Sequence, residues 1–332
     1  MKSVKRFYGR KQSIPNKCLN NIPFYKPNYN INLHKLIEKQ NKSSFKLKSY
    51  NTNTYTDKHN TFILPNLNVF DKYHKRFFST ILTKKYGWVK DKNNRKYNTY
   101  KLNEKCKYIA KINNFSLDML FKLPFVYDQK NLGSCTSNAI LFAYKISNIK
   151  SNVNVLFEPS RLFLYYCSRD IEGTTNEDSG CQIQDGVLSL NKTGVCSEKL
   201  HPYIVNNFTK RPSKKCYDEA KLYNGIPHYR VEHSIEHLKN ALLNGFSVIF
   251  GFNVYESFES EEVEKTGIMP IPKDNENIVG GHAVSIIGFD DYKQVFIVRN
   301  SWGDKWGDKG NFYMPYSFIK TNECSDFWII GK

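Results

Sequence analysis

The chain has 332 residues, 40% hydrophobic and 15% aromatic, enough to bury a core without metal or disulfide staples, and no run of about 18 apolar residues that would form a transmembrane helix. Its formal net charge of +18 is unevenly placed: residues 1–84 hold 17 Lys and Arg against 3 Asp and Glu, while the other 248 residues hold 32 against 28. Eight cysteines without a C-x-x-C pair exclude the tight ligand spacing of a zinc site and are too few for a disulfide scaffold of this length. The opening MKSVKRFYGRKQSIPNK is basic but has no apolar h-region, so no secretory signal is predicted and the compartment stays open.

Residues 1–84 read as a basic N-terminal extension. Prolines in IPNK, IPFYKPNYN and ILPNLN break regular structure, and INLHKLIEKQ and NVFDKYHKRFFSTIL are expected as short helices. Such a polybasic arm is able to bind nucleic acid or another acidic surface through counterion release; the plainer reading is a solvated extension. Ordered sequence is expected from KKYGWVKD, which sets one domain over 85–332. Four helices are predicted: one from about Cys135 in LGSCTSNAILFAYKISN, one in EPSRLFLYYCSRD with Glu158 in its first turn, DGVLSLNKTG ending at Gly194, and SIEHLKNALLNG capped by Ser234 and stopped by Gly245. FSVIFGFNV, GHAVSIIGFDD, QVFIVRNSW and GNFYMP then read as strands. Helices followed by strands predict an α+β molecule of two lobes, a helical one over about 116–225 and a β-rich one over about 226–332.

A thiol acts as a nucleophile only when ionised, which calls for a helix N-terminus and a nearby imidazolium. Cys135 opens an apolar helix directly after Gly133-Ser134. Among eight histidines, His282 stands apart, at the start of a predicted strand behind two glycines, and Asn300 follows at the end of the next. A nucleophile, a base and a group that orients the base are thereby available.

These segments resemble the papain/cathepsin family of cysteine peptidases. DQKNLGSCTSNA resembles the nucleophile segment, with Gln129 six residues before Cys135; GGHAVSIIGFDD resembles the histidine segment; RNSWGDKWGDKGNFYM resembles the asparagine segment, with Trp302 two residues after Asn300. The separation of 147 residues from Cys135 to His282 lies in the family's range, and the 165 to Asn300 slightly beyond it, which insertions near 256–279 would explain. The resemblance covers roughly residues 86–332 and implies the papain-like two-lobe fold with the cleft between the lobes. It implies polypeptide substrates, no cofactor and no metal, and a monomer. Cys135 and His282 would form a thiolate–imidazolium pair, Asn300 would orient the imidazole, and Trp302 would shield that hydrogen bond. The backbone N–H of Cys135 and the side chain of Gln129 would hold the oxyanion of an acyl-enzyme reaction.

The sequence also departs from the family. Leu132-Gly-Ser-Cys-Thr136 stands where the family has Cys-Gly-Ser-Cys-Trp, so the disulfide from position 132 cannot form and Cys181 is expected unpaired. A second family disulfide falls near Cys167 and Cys216; closed, its loop of about 50 residues would contribute roughly 4 kcal/mol. By resemblance, Gly180 and Cys181 border the cleft and bind substrate backbone, and Ser325 lies near the floor of the main selectivity pocket, where a small residue favours apolar or aromatic side chains. Asp326 beside it is expected to face solvent; turned inward it would admit a basic side chain. The extension 1–84 has a suitable length for a pro-segment covering the cleft. The alternatives are an inactive binding protein on the same fold, or a nucleic-acid-associated protein using the basic arm.

Overall fold

The computed structural model describes residues 86–102, 112–152 and 158–331, all within the unit spanning residues 57–332. The two helices expected in the N-terminal extension lie outside the described residues.

Helix α1, Cys135–Lys150, is buried on nearly all sides. A helix buried nearly all round belongs in the middle of a molecule, and α1 packs against the next two helices on one side and against the sheet on the other. Helix α2, Arg161–Glu172, starts later than Glu158: Pro159 and Glu158 precede it, and Ser160 caps it by accepting from the Phe163 N–H. Strand β1, Trp88–Val89, pairs with a second two-residue strand, Cys181–Gln182, numbered β3 in chain order. Helix α3, Ile183–Lys192, follows β3 directly. A further short helix, α4, Lys214–Ala220, completes the helical lobe.

The second lobe is built on an antiparallel sheet. Its strands are β4, His228–Arg230; β5, Val248–Tyr255; β6, Ile278–Asp290; β7, Val295–Arg299; β8, Asn311–Pro315; and β9, Cys324–Ile330. They lie in the order β4-β9-β5-β6-β7-β8, with β2, Asn114–Ser116, added to the far end of β6. Helix α5, Ile235–Leu243, is capped by Ser234 as its sequence predicts and packs on β5 and β6. Strand β9 is not among the expected strands. Its run CSDFWII is buried almost throughout, and it pairs with β5 across an irregular register between Ile249 and Gly251.

The fold is the α+β two-lobe arrangement that the resemblance implies, with helices in one lobe and the sheet in the other. It brings together the N-terminus of α1 and strand β6, inside the sheet: the Ala283 N–H donates to Cys135 Sγ at 3.4 Å.

Candidate active site

Cys135 is the first residue of α1, where the unsatisfied N–H groups of a helix start favour negative charge. His282 is held on the long strand β6, opposite Phe252 of β5. Asn300 follows the last residue of β7, and the β6–β7 pairing sets it beside His282: His282 Nε2 and Asn300 Oδ1 are 2.8 Å apart. The same Oδ1 accepts from the Ser301 N–H at 2.8 Å, which fixes the amide's orientation, so Nε2 carries the proton of the His–Asn bond. The Trp302 indole stacks on the imidazole at 4.8 Å and 25°, and His282 and Asn300 are both buried.

Gln129 is clamped by its neighbours. Its N–H donates to Ser301 O at 2.9 Å, its Oε1 accepts from Ser301 Oγ at 2.6 Å, and its Nε2 donates to Leu132 O at 2.9 Å. Ser301 therefore ties the Gln129 amide to the residue next to Asn300, a support to which no sequence motif points.

Leu132 occupies the place of the missing disulfide partner. It packs with Leu162, Tyr165 and Cys181 in a buried apolar cluster, so Cys181 is a buried free thiol. Thr136 donates through Oγ1 to Cys181 O at 3.1 Å. Cys167 and Cys216, the pair suggested for the second bridge, are also separate buried thiols. Cys216 Sγ lies 3.3 Å from Ser213 Oγ and 3.8 Å from Leu200 O, and burial pushes the Cys167 thiol up to about 12.

The largest feature that the sequence does not announce is a strap, residues 86–102, laid across this site. Strand β1 runs parallel to β3, and Gly87 O accepts from the Cys181 N–H at 2.8 Å. The Ala283 N–H donates to the Cys135 thiol, and the backbone N–H groups of Gly87 and Thr136 beside it also favour its charged form. Burial outweighs these donors and pushes the thiol up, away from ionisation. A Cβ on Gly180, at φ +72°, would strike the backbone of Gly87, and a Cβ on Gly87 would strike that of Gly133, just ahead of the nucleophile. Tyr86 lies edge-on to His282 at 5.9 Å and to Trp302 at 6.1 Å, and its hydroxyl donates to Glu259 Oε1 at 2.5 Å.

Trp88 fills a pocket below the cleft. Its indole lies directly on the backbone of Gly251 and Gly281, and its Nε1 donates to Asp326 Oδ2 at 3.2 Å. Asp326, expected to face solvent, is instead 5% exposed and holds φ +59°. The reason lies in its partners: it accepts from the Asp91 N–H at 2.8 Å and lies 3.6 Å from Arg230 Nη1. Ser325 sits opposite Gly251 in register, and it is the carboxylate of the next residue that reaches the ring in the pocket. Further along the strap, Asp91 accepts from the Gln184 N–H at 3.0 Å, from Trp328 Nε1 at 3.1 Å and from Arg230 Nη2 at 2.9 Å, and Arg95 pairs with Asp185. Among the described residues no group of three or more His, Cys, Asp or Glu is placed to hold a metal, and no helix is long and apolar enough to cross a membrane.

Comparison with known proteins gives a consistent result. Residues 118–325 match the model of the papain family of cysteine proteases. An uncharacterised peptidase C1-like protein of Acanthamoeba polyphaga mimivirus is 41% identical over 278 residues, 76% of this chain and 89% of the viral protein. The crystal structure of xylellain, a cysteine protease from Xylella fastidiosa, superposes with a TM-score of 0.69 at 36% identity, covering 74% of this chain and 96% of that one. Cysteine proteinase 2 of Entamoeba histolytica is 28% identical over 215 residues, 61% of this chain and 62% of the amoebal protein.

Proposed function

The chain belongs to the papain family of cysteine proteases, and on that premise we propose that it hydrolyses peptide bonds through Cys135, His282 and Asn300 and is made in a latent form that its own residues 86–102 hold shut. The observation that carries this reading is the pair of contacts converging on the cleft. His282 is tied to Asn300 at 2.8 Å, and the N–H of the residue after it reaches Cys135 Sγ at 3.4 Å. His282 takes the thiol proton, and the thiolate attacks the substrate carbonyl. The oxyanion is held by the Cys135 N–H and the Gln129 amide. His282 then returns its proton to the leaving amine, and water releases the acyl group from Cys135.

Latency has a physical basis in the strap. With Gly87 against the thiol, no substrate carbonyl reaches Cys135, and burial disfavours the thiolate. β1 runs parallel to β3, and the same three residues block both sides of the nucleophile: Tyr86 over His282 and Trp302, Trp88 in the pocket. The covering residues lie just beyond the 1–84 extension, so a cut that releases the strap falls C-terminal to it, beyond Trp88 and Asp91.

The test uses the full chain, incubated to allow self-processing, with mass spectrometry to locate cuts and an irreversible epoxide inhibitor to label the thiol. Labelling at Cys135 that accelerates once the strap is cut, and that a Cys135→Ala chain does not show, supports the reading. Equal labelling before and after, with full activity in the uncut chain, refutes the latency. No labelling in any form refutes the catalytic set.

A further inference from the structure

The pocket that holds Trp88 has a chemistry of its own, and we infer that it selects substrates carrying a neutral, flat, N–H-bearing side chain, an indole foremost, at the residue that enters it. This rests on the peptidase reading above and specifies the substrate class of that site.

Three observations lead there. The first is shape. Gly251 on β5 and Gly281 on β6 face the same side of the sheet and present bare backbone beneath Trp88, and a Cβ at either position would collide with it. The floor of the pocket is therefore bare peptide backbone on which a flat ring can lie. The second is a demand for a donor. Asp326 Oδ2 accepts from Trp88 Nε1 at 3.2 Å and from the Asp91 N–H at 2.8 Å, and both donors belong to the strap. Once the strap leaves, a buried carboxylate oxygen loses both partners, and an unsatisfied buried acceptor is costly. Asp326 is held at φ +59°, a strained conformation for a residue with a side chain, which marks this orientation as imposed by its surroundings. The third is charge. Arg230 lies 3.6 Å from Asp326 Oδ1 and stays with the body of the protein, whereas Asp91, its other carboxylate partner, leaves with the strap. The open pocket then contains one carboxylate and one guanidinium. A lysine or arginine entering it would meet a carboxylate already neutralised and a like charge beside it, while an indole N–H satisfies Oδ2 without adding charge. An aliphatic side chain fills the slot but leaves Oδ2 unpaired.

The full chain itself supplies the test, because Trp88 competes with substrate for the same slot. Trp88→Arg should loosen the strap and raise the rate of peptide hydrolysis by the intact chain by about tenfold or more, the scale of one lost hydrogen bond to a charged group; a basic-selective pocket would grip the introduced guanidinium more tightly and lower the rate, which overturns the inference. A second arm empties the slot with Trp88→Gly and titrates it with indole, 1-methylindole and butylguanidinium, read by thermal shift. Indole should restore the melting temperature, and 1-methylindole, which has no N–H, should bind about tenfold or more weakly. Equal binding of the two indoles, or tighter binding of butylguanidinium, overturns the inference. The two readings fail separately. Cys135-dependent hydrolysis that favours arginine or leucine at the pocket position sinks the selectivity and leaves the peptidase standing. Indole binding without hydrolysis of any peptide sinks the peptidase reading and the substrate class with it.

Discussion

Asp91 Oδ2 accepts from Arg230 Nη2 at 2.9 Å, and the same guanidinium lies 3.6 Å from Asp326, so two buried carboxylates, one from the strap and one from the body, share a single cation. Burial, and next the charge of Asp326, push Asp91 up to about 7, and burial pushes Asp326 up as well. In the released strap Asp91 is solvated and returns to the ordinary carboxylate range near 4. The docked strap therefore binds a proton that the free strap does not. Its docking is fully supported below about pH 4 and weakens as pH rises through about 7. The charged groups facing this pair are Arg230 and, near Asp326, Lys90. Activity of the uncut chain, divided by that of an Asp91→Asn chain, should rise between pH 4 and 7 and then level off. A ratio that falls over that range would show that the charged Asp91 is the form that locks the strap.

Gln129 offers a sharper test of the catalytic set. Its amide is fixed by Ser301 and Leu132, so Gln129→Ala removes a positioned donor. The expected loss is about 100- to 1000-fold in kcat with KM little changed. Because Gln129 is fully buried, the variant is also expected to lose about 1–3 kcal/mol of stability through the stranded Ser301 hydroxyl. Ser301→Ala separates the two effects: it leaves the donor but loosens it, and should cost less in rate than Gln129→Ala.

Cys167 and Cys216 bear on a different expectation. The structure keeps them as separate thiols, each buried and each near a polar neighbour. Reductant should leave the melting temperature of the purified protein unchanged, and Cys167, pushed up to about 12, should resist alkylation at pH 8 in the folded state. A drop of several degrees on reduction would reveal a bridge, since closing such a loop is worth roughly 4 kcal/mol.

The parts of this molecule that the sequence makes legible are those encoded by neighbours in the chain. Helix α1 begins at Cys135 as its apolar spacing predicts, Ser234 caps α5, and the Gly-flanked His282 begins the buried part of β6. The resemblance to the family, carried by its motifs, is what points to Gln129, His282 and Asn300 as site groups. What stays hidden depends on contacts between distant segments. Asp326 turns inward because a backbone N–H 235 residues earlier and a guanidinium on β4 meet it there, and nothing in ECSDFWII carries that information. The strap escapes notice for a related reason: YGWVKD reads as an ordinary start of ordered chain, and only the parallel pairing of Trp88 with Cys181 reveals that it runs through the cleft.

Leu132 connects the divergent nucleophile segment to stability. In the family this position carries a disulfide; here an apolar side chain packs against Leu162, Tyr165 and Cys181 just ahead of the nucleophile, with Tyr203, Val205 and Phe208 against the cluster. The lost covalent tie is replaced by burial, which is non-directional and sensitive to volume. Leu132→Ala leaves a cavity that neighbours on α2 and β3 cannot close, and it should cost about 2–5 kcal/mol. For a domain of this size that is a fall of roughly 5–15 °C in melting temperature. Leu132→Met keeps the volume and should cost under about 1.5 kcal/mol. If packing at this position matters for the site beyond stability, kcat should fall for Leu132→Ala even at temperatures where the variant is fully folded, since Leu132 O holds the Gln129 amide at 2.9 Å and Gly133 leads directly into Cys135. Unchanged kcat with reduced melting temperature would confine Leu132 to the core, and an unchanged melting temperature would show that the cluster contributes nothing in place of the bridge.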